Sequence, residues 1–159
     1  MSKIFLALGS NIENRKQYIE KAILLLREKI HDVTLAPLYE TKPQYFEDQH
    51  TFLNTVLSGT TNLELQELLQ FTKTIEKKVG RVERFRNGPR EIDIDILFYD
   101  NVVYKAEDLE IPHPRLQERE FVLVPFSDID ADFFHPVLKK TIRELLDTLP
   151  EEKRSLISR

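Results

Sequence analysis

The chain has 159 residues, no cysteine and a formal charge of −4. That length fits one domain spanning 1–159, able to bury about 70% of its unfolded surface without covalent staples. The missing cysteines exclude disulfides and thiolate metal sites, and the small negative charge excludes a general electrostatic pull toward nucleic acid or anionic membrane.

Lys3–Leu8 is a short apolar run that reads as a buried strand and stops at Gly9-Ser10-Asn11. It is too short for a signal core or a membrane span, so a cytoplasmic location is the expectation. Asn14 with Gln17 three residues on predicts a capping box. The helix behind it places Tyr18, Ile19, Ala22, Ile23, Leu25, Leu26 and Ile30 on an apolar stripe. Val33–Tyr39 reads as a strand interrupted at Pro37, hence at or near a sheet edge. Thr41–Thr51 has no periodicity and reads as a long loop, and Phe52–Thr60 as a second strand. Thr61 and Glu64 give another capping-box signal. The helix it opens carries Leu65, Leu68, Leu69, Thr72, Ile75 and Val79 and ends at Gly80.

The next segment carries the most information. Arg81, Arg84, Arg86 and Arg90 fall within ten residues that hold a single Glu, a local charge of +3 in an acidic protein. A strand over 92–99 follows directly. Successive side chains of a strand point to opposite faces, which puts Asp93 and Asp95 on one face and Ile92, Ile94 and Ile96 on the other. Solvated carboxylates are the ordinary reading of such a pair, but like charges two apart on one face are unfavourable without a partner. Hard oxygen ligands at this spacing suit Mg²⁺ held by carboxylates and substrate phosphates. An arginine loop leading into that strand would meet the phosphates from the other side.

Beyond the strand, Asp100-Asn101 predicts a tight turn into Val102–Tyr104 and a hairpin. Leu109–Ile111 reads as a short strand. His113 lies between Pro112 and Pro114, with Arg115 and Arg119 close behind. A lone histidine is more often structural, yet the rigid backbone and basic neighbours favour a phosphate donor. Phe121–Phe126 fits either helix or strand. Thr141 and Glu144 open a last helix that buries Ile142, Leu145, Leu146 and Leu149. The order β-α-β-β-α-β predicts an α+β, ferredoxin-like fold with helices on one face of a largely antiparallel sheet. Composition alone would make Phe52 and Phe121 core residues and Glu76, beside Lys77 and Lys78, half of a solvated ion pair. No glycine-rich phosphate loop, dinucleotide fingerprint or nucleophile elbow is present, so phosphate binding falls to arginine, histidine and metal.

The motifs Leu8-Gly9-Ser10-Asn11, Tyr39-Glu40-Thr41, Phe52-Leu53-Asn54, Gly80-Arg81, Arg86 through Leu97, Ile111 through Arg115 and Arg119 through Leu123 resemble, in order and spacing, those of the 6-hydroxymethyl-7,8-dihydropterin pyrophosphokinases. The resemblance implies transfer of diphosphate from ATP to the hydroxymethyl group of the pterin, leaving AMP, in folate biosynthesis. It implies two Mg²⁺ ions on Asp93 and Asp95, with Arg81 and Arg90 beside them in the catalytic set. It places Glu76, Arg84, Ile96, His113 and Arg119 at ATP, with Arg84 and Arg86 as alternatives for the phosphate-reaching arginine of the loop. Phe52 and Phe121 would sandwich the pterin, and Thr41 and Asn54 would bond its edge. Loops 43–51 and 81–90 would close over the substrates, and the mutual repulsion of four arginines with few apolar anchors predicts that the second is mobile in their absence. Small-molecule substrates, a monomer, and neither nucleic acid nor membrane complete the expectation. An RNA-binding module would need a basic surface and an exposed-aromatic strand motif. A regulatory ligand-binding module would not need paired aspartates facing an arginine loop.

Overall fold

The computed structural model describes all residues except 44, 46, 47, 155 and 159, and the side chains of 157 and 158 are likewise left aside. Strand β1 (Ser2–Ser10) lies at its centre. Ile4, Phe5, Leu6 and Leu8 are each 1% exposed or less, so both faces of this strand are covered and its sequence is almost unbroken apolar. Antiparallel neighbours flank it. Strand β4 (Phe52–Thr61) pairs from Ser2↔Thr61 to Ser10↔Leu53, and β5 (Asp93–Tyr99) pairs on the other side. Strands β2 (His31–Leu35) and β3 (Tyr39–Thr41) both pair with β4, one after the other along its length. Pro37, which lacks the N–H that a ladder needs, falls in the gap between them. A short β8 (Leu156–Ser158) extends the sheet beyond β3.

Helices α1 (Arg15–Leu26) and α2 (Leu65–Val79) pack on the face formed by Ile4, Leu6, Leu8, Ile92, Ile94 and Ile96. The expectation of helices on one face only is corrected here. Helices α3 (Glu120–Asp130) and α4 (Ile142–Asp147) cover the other face around Phe5, Val56, Phe98 and Phe126. The ambiguous apolar run 121–126 is therefore helical, and it supplies the partner that β1 needs for its second apolar face. The result is an α+β, ferredoxin-like fold, as the element order predicted. Among the described residues no helix is long and apolar enough to cross a membrane.

Three local expectations change. Asn14 takes a left-handed conformation (φ 72°) and makes no side-chain cap, so the first capping box does not form. The second box sits three residues later than predicted, where the Glu67 carboxylate accepts from the Glu64 N–H at 2.9 Å. Thr61 is occupied instead: its hydroxyl donates to the Lys29 carbonyl and accepts from Leu63 N–H. The box at Thr141 and Glu144 forms as expected. The third change concerns the hairpin. Strand β6 (Tyr104–Lys105) pairs with β7 (Glu110–Ile111), not back onto β5. Asp100 explains this, because its backbone N–H and its carboxylate both bond Lys3 of β1 and hold the chain at the end of the sheet.

Candidate active site

Asp93 and Asp95 stand opposite Gly9 and Ala7 of β1, whose small side chains leave space above them. At Gly9 a Cβ would come within 2.6 Å of Asn54 Oδ1, so any side chain there would displace the Asn54 amide. The register between β1 and β5 then slips: Leu6 faces Ile96 while Phe5 faces Phe98, and Leu97 is a bulge. The Leu97 carbonyl accepts from His113 N–H at 3.0 Å. A bulge re-aims the chain beside it, and here it fixes His113 next to the aspartate face.

Two cavities meet at this point. A cavity of about 180 Å³ lies over β1, β3, β4 and the start of α3, and is lined by Thr41, Phe52, Asn54, Arg90, Arg119 and Phe121. A larger one, about 420 Å³, runs along the outer edge of β5 between α2 and the β6–β7 hairpin, and is lined by Lys73, Glu76, Arg81 and Ile96. Asp93, Asp95 and His113 line both. They form the wall the two cavities share.

The cations of that wall are unevenly shared among its carboxylates. Arg81 contacts Glu76 at 2.9 Å and Asp93 at 3.1 Å, and Arg90 lies 3.6 Å from Asp93. Arg119 stands 3.9 Å from Asp95, too far for a hydrogen bond. Burial, then the charge of Asp93, pushes the Asp95 carboxyl up to about 7, and Arg119 and Arg90 offset this only in part. Burial also raises Glu76, with Asp93 next, although Glu76 accepts the Ile94 N–H at 2.8 Å and the Arg81 guanidinium. Asp95 accepts no hydrogen bond from an arginine among the described residues and shares one strand face with Asp93, and hard oxygen donors so placed in a partly enclosed site fit a divalent cation. Among the described residues no group of three or more His, Cys, Asp or Glu could hold one alone. A cation here would complete its shell with water and a ligand's oxygens, as Mg²⁺ commonly does.

Burial and then Arg119 push His113 down to about 4. Its Nδ1 accepts from Arg115 N–H at 3.2 Å, so the neutral ring carries its proton on Nε2. His113 is thus a neutral hydrogen-bond donor at the junction.

All four residues expected at the pterin line the smaller cavity. Asn54 donates to Thr41 Oγ1 at 2.6 Å. Phe121 is half-buried at the cavity wall, and Phe52, though largely buried, lines it too. The Arg90 guanidinium covers the Phe52 ring at 5.2 Å and that of Arg119 covers Phe121 at 5.6 Å. Neither ring is spent wholly on the core. Glu76, Ile96 and His113 line the larger cavity with Arg81, and Glu76 is buried there, not solvated.

Arg84 is not brought to the site. It forms a fork with Glu91, two bonds of 2.8 Å, and lines neither cavity. Arg86 is exposed. Arg81, Arg84 and Arg90 all carry ion-pair partners, so the loop is less self-repelling than its composition implies. Of the other loop, residues 44, 46 and 47 lie outside the described residues.

Sequence reasoning missed Asn11, Gln49 and Tyr45 as site residues. The buried Asn11 side chain donates to Gln49 Oε1 (2.7 Å) and the His50 carbonyl (3.1 Å), and accepts from Arg90 N–H (2.9 Å). Gln49 in turn donates to the Asn87 carbonyl at 2.9 Å. Asn11 therefore ties loops 42–51 and 81–90 together at the end of β1. Its place in the Leu8-Gly9-Ser10-Asn11 motif was the signal available.

Residues 5–131 match the model of the 7,8-dihydro-6-hydroxymethylpterin-pyrophosphokinase (HPPK) family. The chain is 45% identical over 144 residues to the 2-amino-4-hydroxy-6-hydroxymethyldihydropteridine pyrophosphokinase of Aquifex aeolicus, covering 91% of this chain and 90% of that one. It is 44% identical over 147 residues to a folic acid synthesis protein of Dictyostelium discoideum, covering 92% of this chain but only 22% of that longer protein. In structure it resembles wild-type HPPK-DHPS of Plasmodium falciparum with a TM-score of 0.73 at 18% identity, over 92% of this chain and 44% of that one, a likeness of fold. The match over most of its length, with the motifs gathered at one junction, means that the chain belongs to the 7,8-dihydro-6-hydroxymethylpterin-pyrophosphokinase family.

Proposed function

We propose that this protein transfers the intact diphosphate of ATP to the hydroxymethyl group of 6-hydroxymethyl-7,8-dihydropterin, a step of folate biosynthesis, and releases AMP. The observation that carries the proposal is the pair of cavities with a common wall of Asp93, Asp95 and His113. ATP takes the larger cavity and the pterin the smaller. The pterin hydroxyl oxygen forms a bond to the β-phosphorus, the bond between that phosphorus and the α–β bridging oxygen breaks, and the hydroxyl proton passes to water.

Phe52 and Phe121 flank the flat heterocycle. Asn54 and Thr41 read its polar edge. Arg81, Arg90 and Arg119, with the Nε2–H of His113, face the phosphates, where charge-assisted bonds are strongest. Asp93 and Asp95 would hold two Mg²⁺ ions, which supply charge neutralisation along the triphosphate. Catalysis is then mainly placement and charge compensation. One chain supplies every residue assigned, so a monomer working in the cytoplasm on small molecules suffices, with neither nucleic acid nor membrane. The test is to resolve the nucleotide products of a reaction with ATP, Mg²⁺ and the pterin. AMP should appear one-for-one with pterin consumed. ADP as the main product would mean ordinary kinase chemistry and would refute the assignment.

A further inference from the structure

Tyr45 belongs to the segment Thr41–Thr51, which has no periodicity and gave no sequence signal. Two guanidinium groups lie against its ring, with Arg115 at 4.9 Å and Arg119 at 5.3 Å from the ring centroid. Its phenol oxygen also accepts from Arg119 Nε at 3.0 Å. Among the described residues that is the only hydrogen bond of the Arg119 side chain. Arg115 is itself fixed by two contacts to Glu118 Oε1 of 3.0 and 2.8 Å. Arg119 reaches three features of the site at once: the Asp95 carboxylate at 3.9 Å, the Phe121 ring at 5.6 Å, and Tyr45.

A guanidinium is a rigid planar fork of five N–H groups. Holding Nε–H at a fixed acceptor leaves the end-on edge of the two terminal nitrogens free for another partner, and an aromatic ring against the fork restricts its plane. We propose that Tyr45 is a positioning residue for Arg119, setting the fork so that its terminal N–H groups face the phosphates beside Asp95. Arg115, also against the Tyr45 ring, helps keep it in place. The role rests on the proposed function, because it needs a polyphosphate beside Asp95.

The test is a double-mutant cycle read on affinity for inorganic tripolyphosphate with Mg²⁺, measured by calorimetry. Tripolyphosphate reports on Arg119 without any transfer to pterin, so the cycle stands apart from the product assay. Tyr45→Phe keeps the ring and removes only the oxygen. It should weaken binding about tenfold, the size expected of one bond to a charged donor. In the Arg119→Ala background the same change should have no effect. Thermal midpoints of wild type and Tyr45→Phe should coincide, which a general structural role would not give. An equal loss in both backgrounds, or no loss in either, would overturn the role of Tyr45 even if wild type makes AMP. Failure of wild type to make AMP, with the cycle as expected, would instead count against the reaction assigned above.

Discussion

Asn11 makes three side-chain hydrogen bonds, to Gln49, His50 and Arg90, from a position with almost no solvent exposure. A buried amide this fully used is costly to remove, since three hydrogen bonds are lost with it. Its effect on function comes through Arg90, which both covers the Phe52 ring and approaches Asp93. Asn11→Ala should therefore lower kcat/KM roughly ten- to a hundredfold, as small misplacement of a reacting group does, while circular dichroism still reports a folded chain. Steady-state kinetics with each substrate varied would check this, and wild-type kinetics would mean that the loops hold their places without Asn11. The contrast with Asp93 and Asp95 is instructive. Their shared face needed only the two-residue period of a strand, so it was legible from Ile92 through Ile96. Asn11 sits at a strand end, where Gly, Ser and Asn ordinarily mean a turn, and its partners are 38 to 79 residues away. No local pattern encodes a contact of that range.

The loop between α2 and β5 raises a different question, because its arginines look alike in sequence and act differently in the fold. Arg81 and Arg90 reach Asp93, whereas Arg84 is bound to Glu91 and to the loop's own carbonyls. The Arg84 guanidinium holds Glu91 down to about 2. A carboxyl depressed in the fold contributes stability that is full above its ordinary range near 4.5 and is lost as pH falls toward about 2. Arg84→Ala should thus remove part of the acid sensitivity of unfolding between pH 4.5 and 2 and speed hydrogen exchange over residues 81–90. ATP affinity should change by no more than about threefold, because Arg84 lines neither cavity, and Arg81→Ala should cost far more. If Arg84→Ala matches Arg81→Ala in lost ATP affinity, the loop must rearrange on binding to release Arg84 from Glu91. At this scale the strands and long helices were legible from periodicity and Gly80 from its place at a helix end. The bulge at Leu97 was not, since a bulge is a property of the pairing and not of either strand alone. Nor was the β6–β7 pairing, which depends on Asp100 being captured by Lys3.

The whole molecule sets stability against function at the open end of its second sheet face. Phe5, Phe98 and Phe126 fill that face under α3 and α4, but the cover ends where Ala7 and Gly9 face Asp95 and Asp93, and the two cavities begin. There the fold places a carboxylate whose nearest cation, Arg119, stands 3.9 Å away. Asp95 is raised to about 7 by burial and by Asp93, so its ionisation costs the folded state more than the unfolded one. The sign follows from linkage: a group whose folded pKa lies above its unfolded value contributes stability that is present below the ordinary aspartate range of 3.8 and is lost as pH rises through about 7. The carboxylate is about one-third exposed, which screens the penalty to on the order of 1 kcal/mol. Asp95→Asn removes the charge and nearly keeps the shape. In chelator-treated protein it should leave the melting temperature unchanged at pH 4 and raise it at pH 8 by roughly 2–4 °C. The same variant should lose at least about a hundredfold in AMP formation, since the lost charge is the one a cation needs. Added Mg²⁺ should raise the wild-type melting temperature at pH 8 and leave that of Asp95→Asn almost unmoved. Calorimetry at the two pH values, with and without Mg²⁺, separates the alternatives. A variant less stable than wild type at pH 8 without metal would mean that Arg119 already balances Asp95 and that its ionisation does not oppose folding.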